Sequence, residues 1–131
     1  MKALVVDDSY GCRSLIEAIL QRMGHSVDMA GNGRDGVLKY VKAAEEGEPY
    51  DFVTMDNVMP IMDGIQAARS IRTYETNHAE LKRAYLCFVT SDIACHNCFL
   101  QNYTLDSLTG FIQKPMDILC FISVVRDASE R

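Results

Sequence analysis

Asp51-Phe52-Val53-Thr54-Met55-Asp56-Asn57-Val58-Met59-Pro60-Ile61-Met62-Asp63-Gly64 is the stretch that decides the fold. Phe52 to Met55 is apolar and partly β-branched. It is too short for a helix and is bounded by acids, so it predicts a buried strand. Asp56 follows at the strand's C-terminal end, where an open parallel sheet presents ligands and reactive groups. Pro60 lacks an N–H and disfavours a helical Met59, so the chain turns there. Asp63 can cap a helix whose first apolar residue is Ile65. A carboxylate is thus held at a strand tip over a rigid loop. Placed there it can bind a metal, act as a nucleophile, or do both.

Asp56, with Met59-Pro60 and Met62-Asp63-Gly64, resembles the phosphorylation loop of response-regulator receiver domains of two-component signalling. Outward from the loop, strand-like and helix-like segments alternate. Ala3 to Val6 is a continuous apolar run that predicts a parallel strand ending at Asp7-Asp8. Ser9 can cap the next helix, which carries Leu15, Ile16, Ile19, Leu20 and Met23 at one-turn spacing and stops at Gly24. Ser26 to Ala30 predicts a short strand. Asn32 caps a helix with Val37, Leu38, Val41 and Ala44 as its buried side.

After the central strand, the helix from Asp63 points Ile65, Ala68 and Ile71 inward and Arg69 and Arg72 outward. Thr73 to Lys82 is either an extension of that helix or a surface loop. Ala84 to Val89 predicts a strand ending at Thr90, and Ile93 to Tyr103 a helix; Thr104 to Thr109 is ambiguous. Gly110 to Gln113 predicts a strand ending at Lys114-Pro115. Asp117 caps a last helix with Ile118, Leu119, Ile122 and Val125 inward. Five strand–helix repeats with short links require right-handed crossovers and a parallel sheet covered on both faces. The expected fold is an α/β, flavodoxin-like doubly wound (βα)5 unit in strand order 2-1-3-4-5.

A chain of 131 residues with 48% hydrophobic content supplies one core. One domain over 1–131 is therefore expected; the resemblance implies that it is a receiver domain, with no output domain after Arg131. The net charge of −5 gives no electrostatic footprint for nucleic acid. The start does not read as a signal peptide and no run is long enough to span a membrane, so a cytoplasmic location is expected. The five cysteines are odd in number and read as free thiols. Cys95 and Cys98 form a single C-x-x-C without the second ligand pair of a structural zinc site, and read as ordinary cysteines.

In the expected strand order, Asp7, Asp8, Asp56, Thr90 and Lys114 converge on one edge of the sheet. An Asp-Asp pair, a terminal threonine or a Lys-Pro turn is each commonplace alone; their joint order along the strands carries the reading. Carboxylates so close repel unless a cation lies among them, and hard oxygen donors on a hydrated surface suit Mg²⁺. With Lys114 as a second cation, the site is suited to receive a phosphoryl group on Asp56, the nucleophile, with the Thr90 hydroxyl as a donor.

The resemblance implies the same roles. Asp8 and Asp56 would ligate Mg²⁺ directly, Val58 would lend its backbone carbonyl, and Asp7 would act through metal-bound water. Thr90 would be the switch hydroxyl, Lys114 the lysine before a proline, and Phe111 the switch aromatic that turns inward on phosphorylation. Partners would be a histidine kinase or histidine phosphotransfer protein and a downstream protein reading the helix after Thr90, the fifth strand and the last helix. Such a protein is a switch rather than a turnover enzyme. The Met-Pro-Ile-Met-Asp-Gly loop looks most like receivers of hybrid sensor histidine kinases, from which the chain could be excised.

The chain departs from the pattern at Cys98 to Thr109, which lacks the usual small-residue turn. Two rival classes fit these residues less well. A haloacid-dehalogenase-like aspartyl phosphatase would place its nucleophile on the first strand in an Asp-x-Asp pattern, which Asp7-Asp8-Ser9 does not match. A flavodoxin-like cofactor binder would need a hydroxyl- and glycine-rich phosphate loop there, where Asp7 and Asp8 would repel a phosphate.

Overall fold

The computed structural model describes residues 1–91 and 108–130. The helix expected over Ile93 to Tyr103, with Cys95 and Cys98, lies outside the described residues. In chain order the elements are β1 (Lys2–Val6), α1 (Tyr10–Arg22), β2 (Ser26–Ala30), α2 (Gly33–Glu45), β3 (Phe52–Met55), α3 (Gly64–Asn77), β4 (Tyr85–Thr90), β5 (Thr109–Gln113) and α4 (Ile118–Ser129). The sheet has five strands in the order β2-β1-β3-β4-β5, and every pairing is parallel. This is the flavodoxin-like arrangement that the strand–helix alternation predicts.

Side chains alternate across each strand, so the sheet feeds two cores. Leu4, Val6, Val53, Met55, Leu86 and Phe88 pack under α2 and α3. Ala3, Val5, Phe52, Cys87, Val89 and Ile112 pack under α1 and α4. Burial pushes the Cys87 thiol up to about 12, with the nearby Cys120 adding to it, so Cys87 acts as an inert core residue. Cys12, Cys87 and Cys120 are free, as expected.

The helix caps follow the sequence closely. Ser9, Asn32, Asp63 and Asp117 each accept a backbone N–H from the first turn of their helix. Asp63 and Gln66 form a full capping box.

The buried faces of three helices differ from the expected stripes. On α1, Ile16 and Leu20 are buried but Leu15 is exposed. On α2 the buried residues are Gly33, Gly36, Tyr40 and Ala43, while Leu38 points to solvent. The reason is close approach: a Cβ at Gly36 would lie 2.8 Å from Val6 Cγ2, so the glycine side of α2 rests on the sheet. On α4 the core takes Phe121, Val125 and Ala128, and leaves Ile118 and Leu119 exposed. Phe121 packs edge-on against Phe52, with ring centroids 6.2 Å apart.

The polar run from Thr73 is an extension of the helix as far as Asn77 and a surface loop beyond it, but its burial was not expected. α3 continues to Asn77 and buries Glu75, which is only 3% exposed. The Tyr40 hydroxyl donates to Glu75 Oε2 at 2.6 Å, Arg72 Nη1 to Oε1 at 2.7 Å, and the Ala84 N–H to Oε2 at 2.8 Å. Arg72 therefore does not point outward. Its guanidinium also donates to the carbonyls of Ala84 and Leu108, both at 2.9 Å. The buried Glu75–Arg72 pair thus joins α2, α3 and the starts of β4 and β5.

Candidate functional site

Strand register brings the polar residues together. Val6 is paired with Met55, so Asp7 and Asp56 emerge side by side. The Asp56 N–H donates to the Val6 carbonyl at 3.0 Å, and the Asp7 N–H to the Ala30 carbonyl at 3.1 Å. On the other side, the Lys114 N–H donates to the Thr90 carbonyl at 3.0 Å. This places the ammonium over the acids. Lys114 Nζ lies 2.8 Å from Asp7 Oδ2 and 3.4 Å from Asp56 Oδ2. The Thr90 side chain is hydrogen-bonded to Asp56.

Asp7 is held on three sides. Its Oδ1 accepts the Ser9 N–H at 2.9 Å, and its carbonyl accepts Arg13 Nη1 at 2.7 Å. Ser9 read from sequence only as a helix cap, and Arg13 carried no motif signal. Their contact with Asp7 follows from how α1 leaves the strand.

The loop after Asp56 is tightly determined. The Gly64 N–H donates to the Asn57 carbonyl at 2.9 Å, and Asn57 Oδ1 accepts the Ile65 N–H at 3.1 Å. A Cβ at Gly64 would lie 2.2 Å from the Asp56 carbonyl oxygen. Gly64→Ala is therefore expected to cost about 2 kcal/mol or more of stability and to displace the acceptor. Chemical denaturation of the variant reads the first effect, and its rate of acceptor modification the second. Within the loop, the Met62 N–H donates to the Pro60 carbonyl at 2.8 Å, closing a three-residue turn on Ile61. Ile61 has φ 71°, a left-handed backbone that costs a side-chain-bearing residue about 1–2 kcal/mol.

Oxygen atoms from Asp7, Asp8 and Asp56 all lie within 4.8 Å of one another. Asp7 and Asp56 are buried and Asp8 is exposed. Burial, and then the charge of Asp7, push the Asp56 carboxyl above its usual range; Lys114 and Thr90 pull in the opposite direction. For Lys114, burial favours loss of the proton. The hydrogen bond and charge of Asp7, with the charge of Asp56, outweigh it and raise the pKa. One ammonium thus pairs with two of the three carboxylates. Three hard oxygen donors, one of them open to solvent, are a donor set that fits Mg²⁺.

The structure therefore joins Asp7, Asp8, Asp56, Thr90 and Lys114 in one cup. Val58 sits on the adjoining loop and is 64% exposed. Phe111 lies apart in β5, half-buried and stacked on Phe88 with centroids 5.0 Å apart.

The sequence profile of the response regulator receiver domain matches residues 3–126. The chain belongs to that family. Receiver domains are signalling switches of two-component systems, and this receiver has relatives of several kinds. It is 47% identical over 77 residues to the chemotaxis protein CheY of Treponema pallidum, covering 58% of this chain and 51% of that protein. It is 40% identical over 72 residues to two-component response regulator 24 of Arabidopsis thaliana, covering 55% and 49%.

Hybrid signal transduction histidine kinase K of Dictyostelium discoideum is 27% identical over 136 residues, which cover 99% of this chain and 10% of the kinase. The receiver thus spans about half or less of the length of these curated relatives. Among solved structures, the CheX-CheY-BeF3-Mg²⁺ complex of Borrelia burgdorferi has a chain at TM-score 0.76 and 25% identity, covering 97% of this chain and 87% of that one. The complex of the Saccharomyces cerevisiae phosphotransfer protein Ypd1 with the Ssk1 receiver domain gives TM-score 0.75 at 19% identity, covering 95% and 85%, and shares the fold. Among the described residues, no helix is long and apolar enough to cross a membrane.

Proposed function

We propose that Asp56 is the phosphoacceptor of a two-component phosphorelay, taking its phosphoryl group from the phosphohistidine of a histidine kinase or histidine phosphotransfer protein. One observation carries this reading: the Asp56 carboxylate stands beside the Lys114 ammonium and the Thr90 hydroxyl, with Asp7 and Asp8 at the same edge. Asp8 and Asp56 would hold Mg²⁺ directly with the Val58 carbonyl, and Asp7 through water. Bound there, the ion neutralises charge on the phosphoryl oxygens.

An Asp56 oxygen forms the new O–P bond as the N–P bond to the donor imidazole breaks. The imidazole leaves with the electron pair, and Asp56 becomes an acyl phosphate. Lys114 exchanges part of its carboxylate pairing for a phosphoryl oxygen, and the Thr90 hydroxyl donates to another. That pull draws Thr90 inward, and Phe111 follows on β5. The surface of β5 and α4 changes with them, for a downstream protein to read. Cytoplasmic placement goes with this role, as does the lack of steady turnover of small phosphate esters.

The test is incubation with acetyl phosphate and Mg²⁺, read by intact mass. The native chain is expected to gain one phosphoryl group and Asp56→Asn none; labelling of the variant to the same extent would overturn the assignment. The variant also has a stability signature. An acid whose folded pKa is raised stabilises the fold below its unfolded pKa, and that contribution is lost as pH rises through the folded value. Asp56→Asn is thus expected to melt higher than the native chain at neutral pH without Mg²⁺.

Val58 sets a further expectation. Its apolar side chain flanks the acceptor and hinders the water that attacks the acyl phosphate. Val58→Asn is expected to shorten the phosphorylated lifetime several-fold, followed by decay of the phosphorylated mass after acetyl phosphate is removed.

A further inference from the structure

We propose that Ile61 is a specificity-determining residue for the protein phosphodonor, the apolar tip of a rim on which that donor's surface seats. The inference rests on the acceptor role of Asp56 and goes on to say what recognises the partner. Ile61 is unfavourable in the free domain on two counts. It is β-branched yet adopts φ 71°, where glycine or asparagine is more at ease. The residue is also 74% exposed, so it contributes little to either core.

The turn does not need isoleucine for its geometry. The Met62 carbonyl accepts the Gly33 N–H at 3.2 Å, and a Cβ at Gly33 would lie 2.4 Å from that oxygen, so α2 seats close against the turn. Gly64 and Asn57 hold its other end. The surroundings therefore impose the backbone, and the side chain is free to be chosen for what meets it.

What meets it must lie over the acceptor. Ile61 and the exposed Val58 stand on the loop that follows Asp56, and the exposed Tyr10 begins the helix that follows Asp8. A donor imidazole within bonding distance of Asp56 brings its own protein surface onto these loops. With Mg²⁺ bound, three carboxylates balance the ion and Lys114, so the cup offers the rest of a partner's surface little net attraction. Apolar contact at the rim supplies docking energy that does not depend on charge. The partner that fits is a protein with apolar side chains flanking its phosphohistidine. A small phosphodonor reaches Asp56 without touching the rim.

The experiment compares two donors on the native chain, Ile61→Asn, Ile61→Gly and Ile61→Leu. One donor is acetyl phosphate; the other is phosphorylated Ypd1, used as a phosphohistidine protein. The quantity read is the ratio of the protein-donor rate to the acetyl phosphate rate. Ile61→Asn and Ile61→Gly are expected to lower that ratio roughly tenfold, the scale of a contributing interface residue. Their acetyl phosphate rates should match the native one, their melting temperatures should rise, and Ile61→Leu should keep the native ratio. A ratio unchanged in Ile61→Asn overturns the proposal, as does a native chain that gains nothing from the protein donor. If the native chain fails to load from acetyl phosphate, the acceptor reading falls and this one falls with it.

Discussion

Glu75→Ala is expected to lower the unfolding free energy by about 3–5 kcal/mol, the range for removing one partner of a buried ion pair. Urea denaturation checks it. The size follows from what the truncation strands. Tyr40, Arg72 and the Ala84 N–H all donate to this carboxylate, which is 3% exposed. Without it a hydroxyl, a guanidinium and a backbone amide lose an acceptor where water reaches poorly.

Tyr40→Phe isolates one of these bonds and is expected to cost about 1–2 kcal/mol. Burial, reinforced by the hydrogen bond to Glu75, raises the Tyr40 pKa, so the hydroxyl stays a donor across the working pH range. The two substitutions share a partner and should not add. A double variant no worse than Glu75→Ala would show that the bonds act as one unit; strict additivity would refute the network.

Lys114→Met is expected to slow loading from acetyl phosphate by about a hundredfold, the loss seen when one preorganised donor to a developing charge is removed. Initial rates read by intact mass at saturating Mg²⁺ check this. Lys114 contacts both Asp7 and Asp56, so its removal also leaves their carboxylates facing each other. The pH profile gives a second readout. The carboxylate form of Asp56 is the nucleophile, so the rate falls as pH drops through the Asp56 pKa.

Burial and Asp7 already raise that pKa, and Lys114 opposes them. Without the ammonium the inflection should move further upward. A profile that stays in place would mean that Lys114 does not act on Asp56 electrostatically.

Much of this receiver can be read from its sequence, because the signals are local. Phe52 to Met55 is apolar and bounded by acids, Pro60 forbids a helix, and Ser9, Asn32, Asp63 and Asp117 announce the helix starts. Parallel connectivity then orders the strands, and the strand ends carry Asp7, Asp8, Asp56, Thr90 and Lys114 to one edge. Those inferences need only short-range sterics and a handedness rule.

Which side of α2 rests on the sheet depended on Gly36 meeting Val6, a contact between segments remote in sequence. The face of α4 likewise depended on Phe121 meeting Phe52. Glu75 sits in a polar run that gave no sign of burial, because its partners come from α2, α3 and the start of β4. The turn that holds Ile61 left-handed is braced at Met62 by Gly33, the first residue of α2. Local preference decides where elements begin and end. Packing between distant segments decides which faces are buried, which charges are paired and which side chains are left for a partner.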